Sequence, residues 1–490
     1  MRNTLRFLIL PVLNAAGPAY VWLGLAMLAP LAVSLIYKDG MQNGFYVGIL
    51  VSMLLGFGLT FSTSRYKREL RAQHGFLLVT MIWATLPLIS TIPLLMGQPQ
   101  YSFAEMYYEA VSCLTTTGGT VMSGLDHLPL SLNGWRHLLS WMGGMGLIVL
   151  AVAILPLLGV GGAQIMKAEV SGPMKESKLT PRIADTAKAL YAIYLWISIA
   201  CTLGYRWAGM SWADAIMHMM TTVSLSGISA HDSSYMYWNS PAIDWVAAFF
   251  MWICGFNFAL HYLAWKRKTL KQYFVSAEAL GWTTILASVT ALAVWVLLST
   301  GVYDDFWTAL RYATFSVVSV ASTTGYADTD FSLWPLGLPV IMLMAACCAC
   351  SAGSPGGGLK MIRVVIMLKQ LRRDMKQLLY PNAVVAVKVD EDHISTKVCL
   401  SAFSFIVIWI LTLIFGTIVL MLSGMPAFES FAGTISNITN LGMSLGKLGP
   451  SGNYSWLTDF QLYVCSFLML AGRLELYTLF VLFTGMFWRV

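Results

Sequence analysis

Four short runs rich in hydroxyl-bearing side chains, each ending on a glycine, lie within a chain that is 57% hydrophobic. The four glycines are 109, 98 and 117 residues apart, which indicates a four-fold internal repeat. Glycine adopts dihedral angles closed to other residues, so successive carbonyls of such a run can point toward one axis. Carbonyls arranged in this way can replace the hydration shell of a monovalent cation. We call these runs the glycine loops, and their candidate cation-binding residues are Thr116, Thr117 and Gly118; Leu225, Ser226 and Gly227; Thr323, Thr324 and Gly325; and Asn440, Leu441 and Gly442.

A short helix is predicted before each glycine loop. Three copies have a carboxylate thirteen residues before the glycine, and the third has Tyr312 there, with Asp304 and Asp305 further upstream; the three carboxylates are Glu105, Asp214 and Glu429. An acidic residue stabilises the positive N-terminal end of a helix. Because about a dozen residues cannot cross a bilayer, each helix should enter the membrane and stop partway. Non-helical backbone at that depth must be buried in protein or line a water-filled path. Four ordinary external loops are the alternative, but matching offsets in four copies favour re-entrant segments.

Composition indicates a polytopic membrane protein. The 490 residues are only 11% charged, and the mean hydropathy is +0.68. No cleavable signal peptide is expected, because the apolar segment near the start lacks a small-residue cleavage site. Alternating the apolar spans collects most lysines and arginines on one side, which the positive-inside rule makes cytoplasmic together with both termini. The eight cysteines lie mainly in apolar sequence, which favours packing over a metal or disulfide site.

The predicted fold is all-α, with two spans flanking each glycine loop. Residues 1–72 should form an N-terminal two-helix hairpin from spans at about 7–37 and 44–62. The later spans are predicted at about 75–97 and 134–158, 187–208 and 241–265, 278–300 and 336–368, and 397–422 and 458–489. The resulting units are 73–160 (repeat 1), 161–272 (an inner connection and repeat 2), 273–372 (repeat 3) and 373–490 (an inner connector and repeat 4).

The second span of repeat 3 should be broken. Its segment 336–368 is too long for one straight crossing. It also contains a run that cannot continue a stable helix, made of Gly353, Ser354, Pro355, Gly356, Gly357 and Gly358. We call this run the Gly-rich loop. A small loop below the glycine loops is suited to act as a gate, and a kink required only for packing is the alternative.

Arg473 lies in the last predicted span, where a charge is costly unless it faces a cavity or a partner. A position in the pore, as an electrostatic barrier near the Gly-rich loop, is favoured. A buried ion pair with Glu475 is the alternative, although two residues apart on a helix the side chains would not face each other.

An enzyme is disfavoured. The seven histidines are scattered, and the sequence contains neither H-E-x-x-H nor an intramembrane aspartate pair.

The sequence resembles the TrkH/TrkG family of potassium-uptake membrane subunits, within the TrkH/KtrB/HKT superfamily. The four glycine loops and the Gly-rich loop carry the resemblance, together with W-M-G-G-M-G-L-I-V-L-A-V-A-I-L-P at 141–156, K-L-T-P-R-I-A-D-T-A-K at 178–188 and G-R-L-E-L-Y-T at 472–478. It implies four K⁺-channel-like M1-P-M2 repeats around one pore, with K⁺ held by the backbone carbonyls of the glycine loops. It also implies that the Gly-rich loop and Arg473 close the inner pore.

The resemblance further implies a homodimer in the lipid bilayer of the bacterial inner membrane. The placement of the charged residues does not suggest a nucleic-acid partner. A cytosolic TrkA-like subunit would control the gate by binding a nucleotide of the NAD or ATP class, and this chain would need no organic cofactor. Three residues depart from the family pattern: Ser226 replaces a glycine, Met443 a proline and Pro355 a threonine. A Na⁺-conducting or Na⁺/H⁺-coupled transporter of the same fold therefore remains the alternative to K⁺ uptake.

Overall fold

A computed structural model describes residues 5–68, 70–153, 183–348, 350–390 and 392–488. Most of the predicted inner connection at about 160–186, the unit boundary at 160, the end of the predicted span 134–158 and parts of the motifs at 141–156 and 178–188 lie outside these residues. Six helices among the described residues are long and apolar enough to cross a membrane, and two sharply bent helix pairs bring the number to eight. The mostly helical membrane architecture predicted from composition is therefore confirmed.

The N-terminal residues form a helical hairpin. A π-helical turn at Leu5–Ile9 leads into α1 (Leu10–Ala26) and α2 (Leu28–Tyr37), and α3 (Gln42–Ser62) packs back along α1. The helix is interrupted between α1 and α2 because Pro30 has no N–H to donate to the carbonyl one turn earlier.

The first two glycine loops have similar surroundings. Helices α4 (Ala72–Gly97), α5 (Phe103–Leu114) and α6 (Leu130–Ala153) enclose the first loop. The second loop is preceded by α7 (Ile183–Ala208) and α8 (Trp212–Val223). It is followed by a bent pair of helices, α9 (Pro241–Cys254) and α10 (Phe258–Arg267), and then by the short helix α11 (Lys271–Val275).

The third and fourth loops follow the same order. The third is enclosed by α12 (Ala277–Ser299), α13 (Phe306–Ala321), α14 (Leu338–Cys348) and α15 (Met361–Leu379). A two-stranded antiparallel hairpin, β1 (Lys388–Val389) and β2 (Asp392–His393), then interrupts the predicted all-α fold in the inner connector. The fourth loop is enclosed by α16 (Thr396–Leu422), α17 (Ala427–Thr439), α18 (Asp459–Arg473) and α19 (Tyr477–Phe480).

Two of the predicted spans are sharply bent, which was not predicted from the sequence. The span at 241–265 turns by 90° between α9 and α10, and the span at 458–489 turns by 109° after α18. At the first bend, Gly255 lies against the ring of Trp282, and Asn257 starts α10 by accepting a hydrogen bond from the N–H of Ala259 at 2.9 Å. At the second bend, Glu475 and Leu476 have φ values of 56° and 46°, which end the helix. The break predicted in 336–368 is present, between α14 and α15.

The short helices α5, α8, α13 and α17 are here called the loop-bearing helices. The first three begin at polar side-chain caps near the predicted positions, whereas α17 begins after Pro426 without a side-chain cap. The hydroxyls of Ser102 and Ser211 accept hydrogen bonds from the N–H groups of Glu105 at 3.2 Å and Asp214 at 3.1 Å. In the third copy, Asp305 caps the longer helix α13 by accepting from the N–H of Thr308 at 2.9 Å. A carboxylate thus lies at the N-terminus of α13 although the fixed offset places Tyr312 inside that helix.

The loop-bearing helices lie at the centre of the molecule and pack in a closed order. Each packs against the helix that follows its own loop: α5 against α6, α8 against α9, α13 against α14 and α17 against α18. Each also packs against the corresponding helix of the preceding unit: α8 against α6, α13 against α9, α17 against α14 and α5 against α18. The glycine loops at their C-terminal ends are therefore brought together around one axis.

Candidate functional site: a ring of glycine loops above a buried arginine

The four glycine loops have the same backbone conformation. In each loop, the glycine and the residue two positions before it have positive φ. The φ values are 53° and 90° for Thr116 and Gly118, 54° and 71° for Leu225 and Gly227, 57° and 87° for Thr323 and Gly325, and 54° and 81° for Asn440 and Gly442. A positive φ at a residue other than glycine costs about 1–3 kcal/mol, and such strain is concentrated at functional sites. Alternation between left-handed and ordinary dihedrals turns successive carbonyls to the same side of the chain.

Hydrogen bonds at matching positions hold this conformation. The N–H one residue before each glycine donates to the carbonyl six residues before it, at 2.8–2.9 Å in all four loops. In three loops, the serine at that sixth position also donates its hydroxyl to the carbonyl just after the glycine. These serines are Ser112, Ser319 and Ser436, with distances of 2.6, 2.7 and 3.0 Å. In the second loop Thr221 holds this position and bonds the Tyr326 hydroxyl at 2.5 Å instead.

The glycines form a closed ring of backbone contacts. A β-carbon added to any of them would lie within 2.4 Å of the carbonyl oxygen that precedes the next glycine. The contacts are from Gly118 to Ser226 O at 1.9 Å, from Gly227 to Thr324 O at 1.9 Å, from Gly325 to Leu441 O at 2.4 Å and from Gly442 to Thr117 O at 2.2 Å. All four glycines line a cavity of about 80 Å³. These contacts bring together eight of the twelve residues predicted from the sequence, and no side chain larger than hydrogen fits at the glycines. The other four lie directly before the contacting residues in the same loops, and they are Thr116, Leu225, Thr323 and Asn440.

A buried ion pair supports the first loop and was not identified from the sequence. Arg136 donates to one oxygen of Glu109 from Nε at 2.8 Å and from Nη2 at 2.6 Å, and both side chains are fully buried. The second oxygen of Glu109 accepts from the N–H of Val121 at 3.0 Å, directly beyond the loop. Glu109 lies nine residues before Gly118, and the same offset in the next two copies gives His218 and Ser316, which bond Ser229 and Asp328. The repeat offset was the signal that could have identified these residues.

The Gly-rich loop lies directly against the ends of two loop-bearing helices. The N–H of Gly357 donates to the hydroxyl of Thr323 at 2.8 Å, and a β-carbon at Gly357 would lie 1.8 Å from the carbonyl oxygen of Thr439. On its other side, the carbonyl of Gly353 accepts from the N–H of Phe258 at 3.2 Å. Glu278 accepts from the N–H of Ala352 at 2.5 Å. The Gly-rich loop thus lies directly beside the glycine loops and contacts backbone or side chains from three other parts of the chain.

Arg473 reaches the Gly-rich loop and is fully surrounded by protein. Its Nη1 donates to the carbonyl of Pro355 at 2.6 Å, and its Nη2 donates to the carbonyl of Gly143 on α6 at 3.0 Å. Its Nε has no hydrogen-bond partner among the described residues. Glu475, the alternative ion-pair partner, contacts Arg363 at 2.6 Å.

Lys360 is a second cation at the Gly-rich loop that the sequence analysis did not single out. It is buried, and its Nζ donates to the carbonyls of Ser354, at 3.4 Å, and Gly356. Lys360 and Arg473 together therefore bind three successive carbonyls of the Gly-rich loop. The signal in the sequence was the position of Lys360 two residues after Gly358.

A histidine joins the outer loops of the first two units. The Nδ1 atom of His231 lies 2.5 Å from a carboxylate oxygen of Asp126, and Nε2 lies 3.3 Å from an oxygen of Asp214. The ring stacks on Tyr237 with centroids 3.6 Å apart. Partial burial alone would lower the pKa of His231, but the hydrogen bonds and charges of the two carboxylates outweigh it and raise the pKa above its usual value. Burial alone would raise the pKa of the Asp126 and Asp214 carboxyl groups. Their hydrogen bonds, first among them those with His231, outweigh burial, so the pKa of each carboxyl group is lowered.

This arrangement predicts a stability that falls at alkaline pH. Because the pKa of folded His231 is raised, its contribution is fully present below about pH 6.5, the unfolded value, and is lost as the pH rises through the folded value. Because the pKa values of Asp126 and Asp214 are lowered, these two carboxylates stabilise the fold above about pH 3.9, and this stabilisation is lost as the pH falls through their folded pKa values. We expect His231→Phe, which keeps a ring on Tyr237, to make the melting temperature fall less steeply with rising pH above about pH 6.5. The exposed neighbour His127, changed to Phe, is the control, and equal pH profiles for the two variants would contradict this interpretation.

These features define the chain as a mostly helical, polytopic membrane protein in which the four glycine loops form a central ring. The chain belongs to the TrkH family of cation transport proteins, whose family model matches residues 41–490. It is 38% identical to the Trk system potassium uptake protein TrkH of Halomonas elongata over 482 residues, 98% of this chain and 99% of that protein. It is 37% identical to the Escherichia coli K12 protein of the same name, over 94% of this chain and 96% of that protein. The crystal structure of the potassium transporter TrkH from Vibrio parahaemolyticus matches with a TM-score of 0.90 and 35% identity, over 98% of this chain and 99% of that chain.

Proposed function

We propose that this chain takes up K⁺ across the bacterial inner membrane, as the membrane subunit of a Trk-type system. The observation that carries the proposal is the closed ring of four glycine–carbonyl contacts, which brings carbonyls from four loops around one axis. Carbonyl oxygens arranged in this way can replace the hydration water of K⁺ without a charged ligand. The related proteins named as potassium uptake proteins support K⁺ as the ion.

In this proposal, each glycine loop and its flanking helices form one M1-P-M2 unit, and the four units surround a single pore. The twelve loop residues are the selectivity filter. An ion that leaves the filter inward meets the Gly-rich loop and Arg473, which form the gate. The chain acts as a transporter rather than an enzyme, with K⁺ as its transported ion.

Partners and orientation follow from the same proposal. Both termini are cytoplasmic, and two copies of the chain associate, each with its own pore. A cytosolic TrkA-like subunit that binds a nucleotide moves the Gly-rich loop. The basic helix α15 emerges from that loop and offers a mechanical connection to such a partner, because residues 361–379 form one continuous helix from loop to surface.

Uptake of Rb⁺ into liposomes that contain the purified protein tests the proposal. We expect excess K⁺ to compete strongly with Rb⁺ and Na⁺ to compete weakly. Equal competition by Na⁺ would assign this chain to the Na⁺-conducting alternative, with Ser226 and Met443 as the first residues to examine. Uptake no greater than in protein-free liposomes, under conditions that open the gate, would contradict the proposed function.

A further inference from the structure

Two buried aspartates lie behind the third glycine loop and have no role in the proposed filter or gate. Asp328 follows Gly325 by three residues, and Asp244 lies in the first turn of α9. Their residues are 7% and 2% exposed. A charged carboxylate in such a position needs a partner for each of its oxygens.

The hydrogen bonds around this pair are incomplete. Oδ1 of Asp328 accepts from the Ser316 hydroxyl at 3.1 Å, whereas its Oδ2 has no partner among the described residues. Oδ2 of Asp244 accepts from Nε of Arg311 at 2.7 Å, whereas its Oδ1 has none in the same residues. The Nη2 atom of Arg311 is bonded to Asn239 at 3.2 Å. The guanidinium of Arg311 therefore bonds only one of the two carboxyl groups, and among the described residues one oxygen of each carboxyl group remains buried without a donor.

A proton supplies the missing donor. Two carboxyl groups in one buried site cannot both be ionised at low cost, so such a pair retains one proton. We propose that Asp328 and Asp244 form a proton-binding site behind the third glycine loop, in which Asp328 is the acid and Asp244 stays ionised beside Arg311. Asp244 is the ionised partner because the guanidinium contacts it directly.

The electrostatics of the surrounding residues support this assignment. Burial, and next the negative charge of Asp244, raise the pKa of Asp328 well above its usual value, and the Ser316 hydrogen bond and Arg311 only partly oppose them. The charged or titratable groups that face Asp328 are Asp244 on α9, Arg311 on α13 and Tyr303 in the segment before α13. Among these, Arg311 supplies the only positive charge, and it is already bonded to Asp244.

The first and third loops thus have different supports. The first has the Glu109–Arg136 ion pair, which balances its own charge, whereas the third has two acids and one arginine. When alkaline pH removes the proton, two buried carboxylates repel each other and push the segment after Gly325 away from α9. We expect this to weaken the preference for K⁺ over Na⁺. This consequence rests on the proposed function, but the presence of the proton does not.

The proton is tested by infrared spectroscopy of the protein reconstituted in lipid at neutral pH. We expect a carboxylic-acid C=O band in the wild type that is lost in Asp328→Asn and kept in Asp304→Asn, which removes an exposed acid nearby. Asp244→Asn removes the neighbouring negative charge, so the band should disappear at a lower pH than in the wild type. If Asp328→Asn does not fold, this pH shift in Asp244→Asn provides the test. A band that is unaffected by either buried substitution would overturn the proposal.

The effect on transport is tested by Rb⁺ uptake with K⁺ or Na⁺ as competitor, at neutral and alkaline pH. The wild type and Asp304→Asn should lose several-fold of their K⁺ preference at alkaline pH. Asp328→Asn should show no such loss, because its amide can donate as a protonated carboxyl group does. An equal loss in Asp328→Asn would overturn the linkage. If Rb⁺ uptake is absent at every pH, the proposed function fails, and the infrared band still decides whether the proton is bound.

Discussion

Arg473→Gln is expected to raise Rb⁺ uptake measured without a regulatory partner by about tenfold or more. The substitution removes a buried positive charge and its hydrogen bonds to the carbonyls of Pro355 and Gly143, at 2.6 and 3.0 Å. A barrier reduction of about 1.4 kcal/mol already gives a tenfold rate increase. A unit charge about 4 Å from a passing ion contributes on the order of 4 kcal/mol at an effective dielectric constant of about 20.

Arg206→Gln is the matched control for this prediction. Both arginines lie near a helix end and 5.6 Å from the centroid of a tryptophan ring. Arg206 also donates to a backbone carbonyl, that of Met210, at 3.1 Å. It is far from the Gly-rich loop in the proposed topology, so the Arg206 variant should take up Rb⁺ at the wild-type rate. Equal uptake by both variants would show that Arg473 does not close the pore.

Glu109→Gln is expected to reduce the free energy of unfolding by about 3–5 kcal/mol, because it leaves the fully buried charge of Arg136 unpaired. The amide also loses charge-assisted bonds to the guanidinium and to the N–H of Val121, so the first glycine loop should loosen. The measurement is the thermal unfolding midpoint in detergent together with the yield of monodisperse protein.

Glu429→Gln provides the comparison, since it is the same change in the first turn of loop-bearing helix α17. The lost interaction there is with the helix dipole, which is worth about 0.3–1 kcal/mol. The double variant Glu109→Gln/Arg136→Met should be more stable than Glu109→Gln alone, because no unpaired charge remains. A Glu109 variant as stable as the Glu429 variant would show that the ion pair does not support the loop.

The sequence was informative about the glycine loops because their signals are local and occur four times. A glycine, a hydroxyl-rich run and an acidic cap at fixed offsets predict a short helix that ends in a loop, and Phe103–Leu114 lies where the first such helix was expected. The break in the second span of repeat 3 was predictable for the same reason, since proline and four glycines lie within six residues.

Other features depend on contacts between distant parts of the chain. Gly255 alone does not predict a 90° bend, which also requires the Trp282 ring from α12 to occupy the space beside it. Arg136 and Glu109 each look like a residue at a membrane boundary, and only the packing of α6 on α5 makes them an ion pair. Asp244 and Asp328 are 84 residues apart in sequence, so their shared environment also depends on packing between distant parts of the chain.

The central claim is that four glycines form a selectivity filter, and Gly325→Ser tests it most directly. Gly325 has φ +87°, and an added β-carbon would lie 2.4 Å from the carbonyl oxygen of Leu441. Gly301→Ser is the matched control, because Gly301 also has a positive φ, +69°, but has open space around its added β-carbon. We predict that in Rb⁺ uptake the Gly325 variant loses the preference for K⁺ over Na⁺ as competitor, while the Gly301 variant keeps it. An unchanged preference in a folded Gly325 variant would contradict the assignment of these loops as the filter.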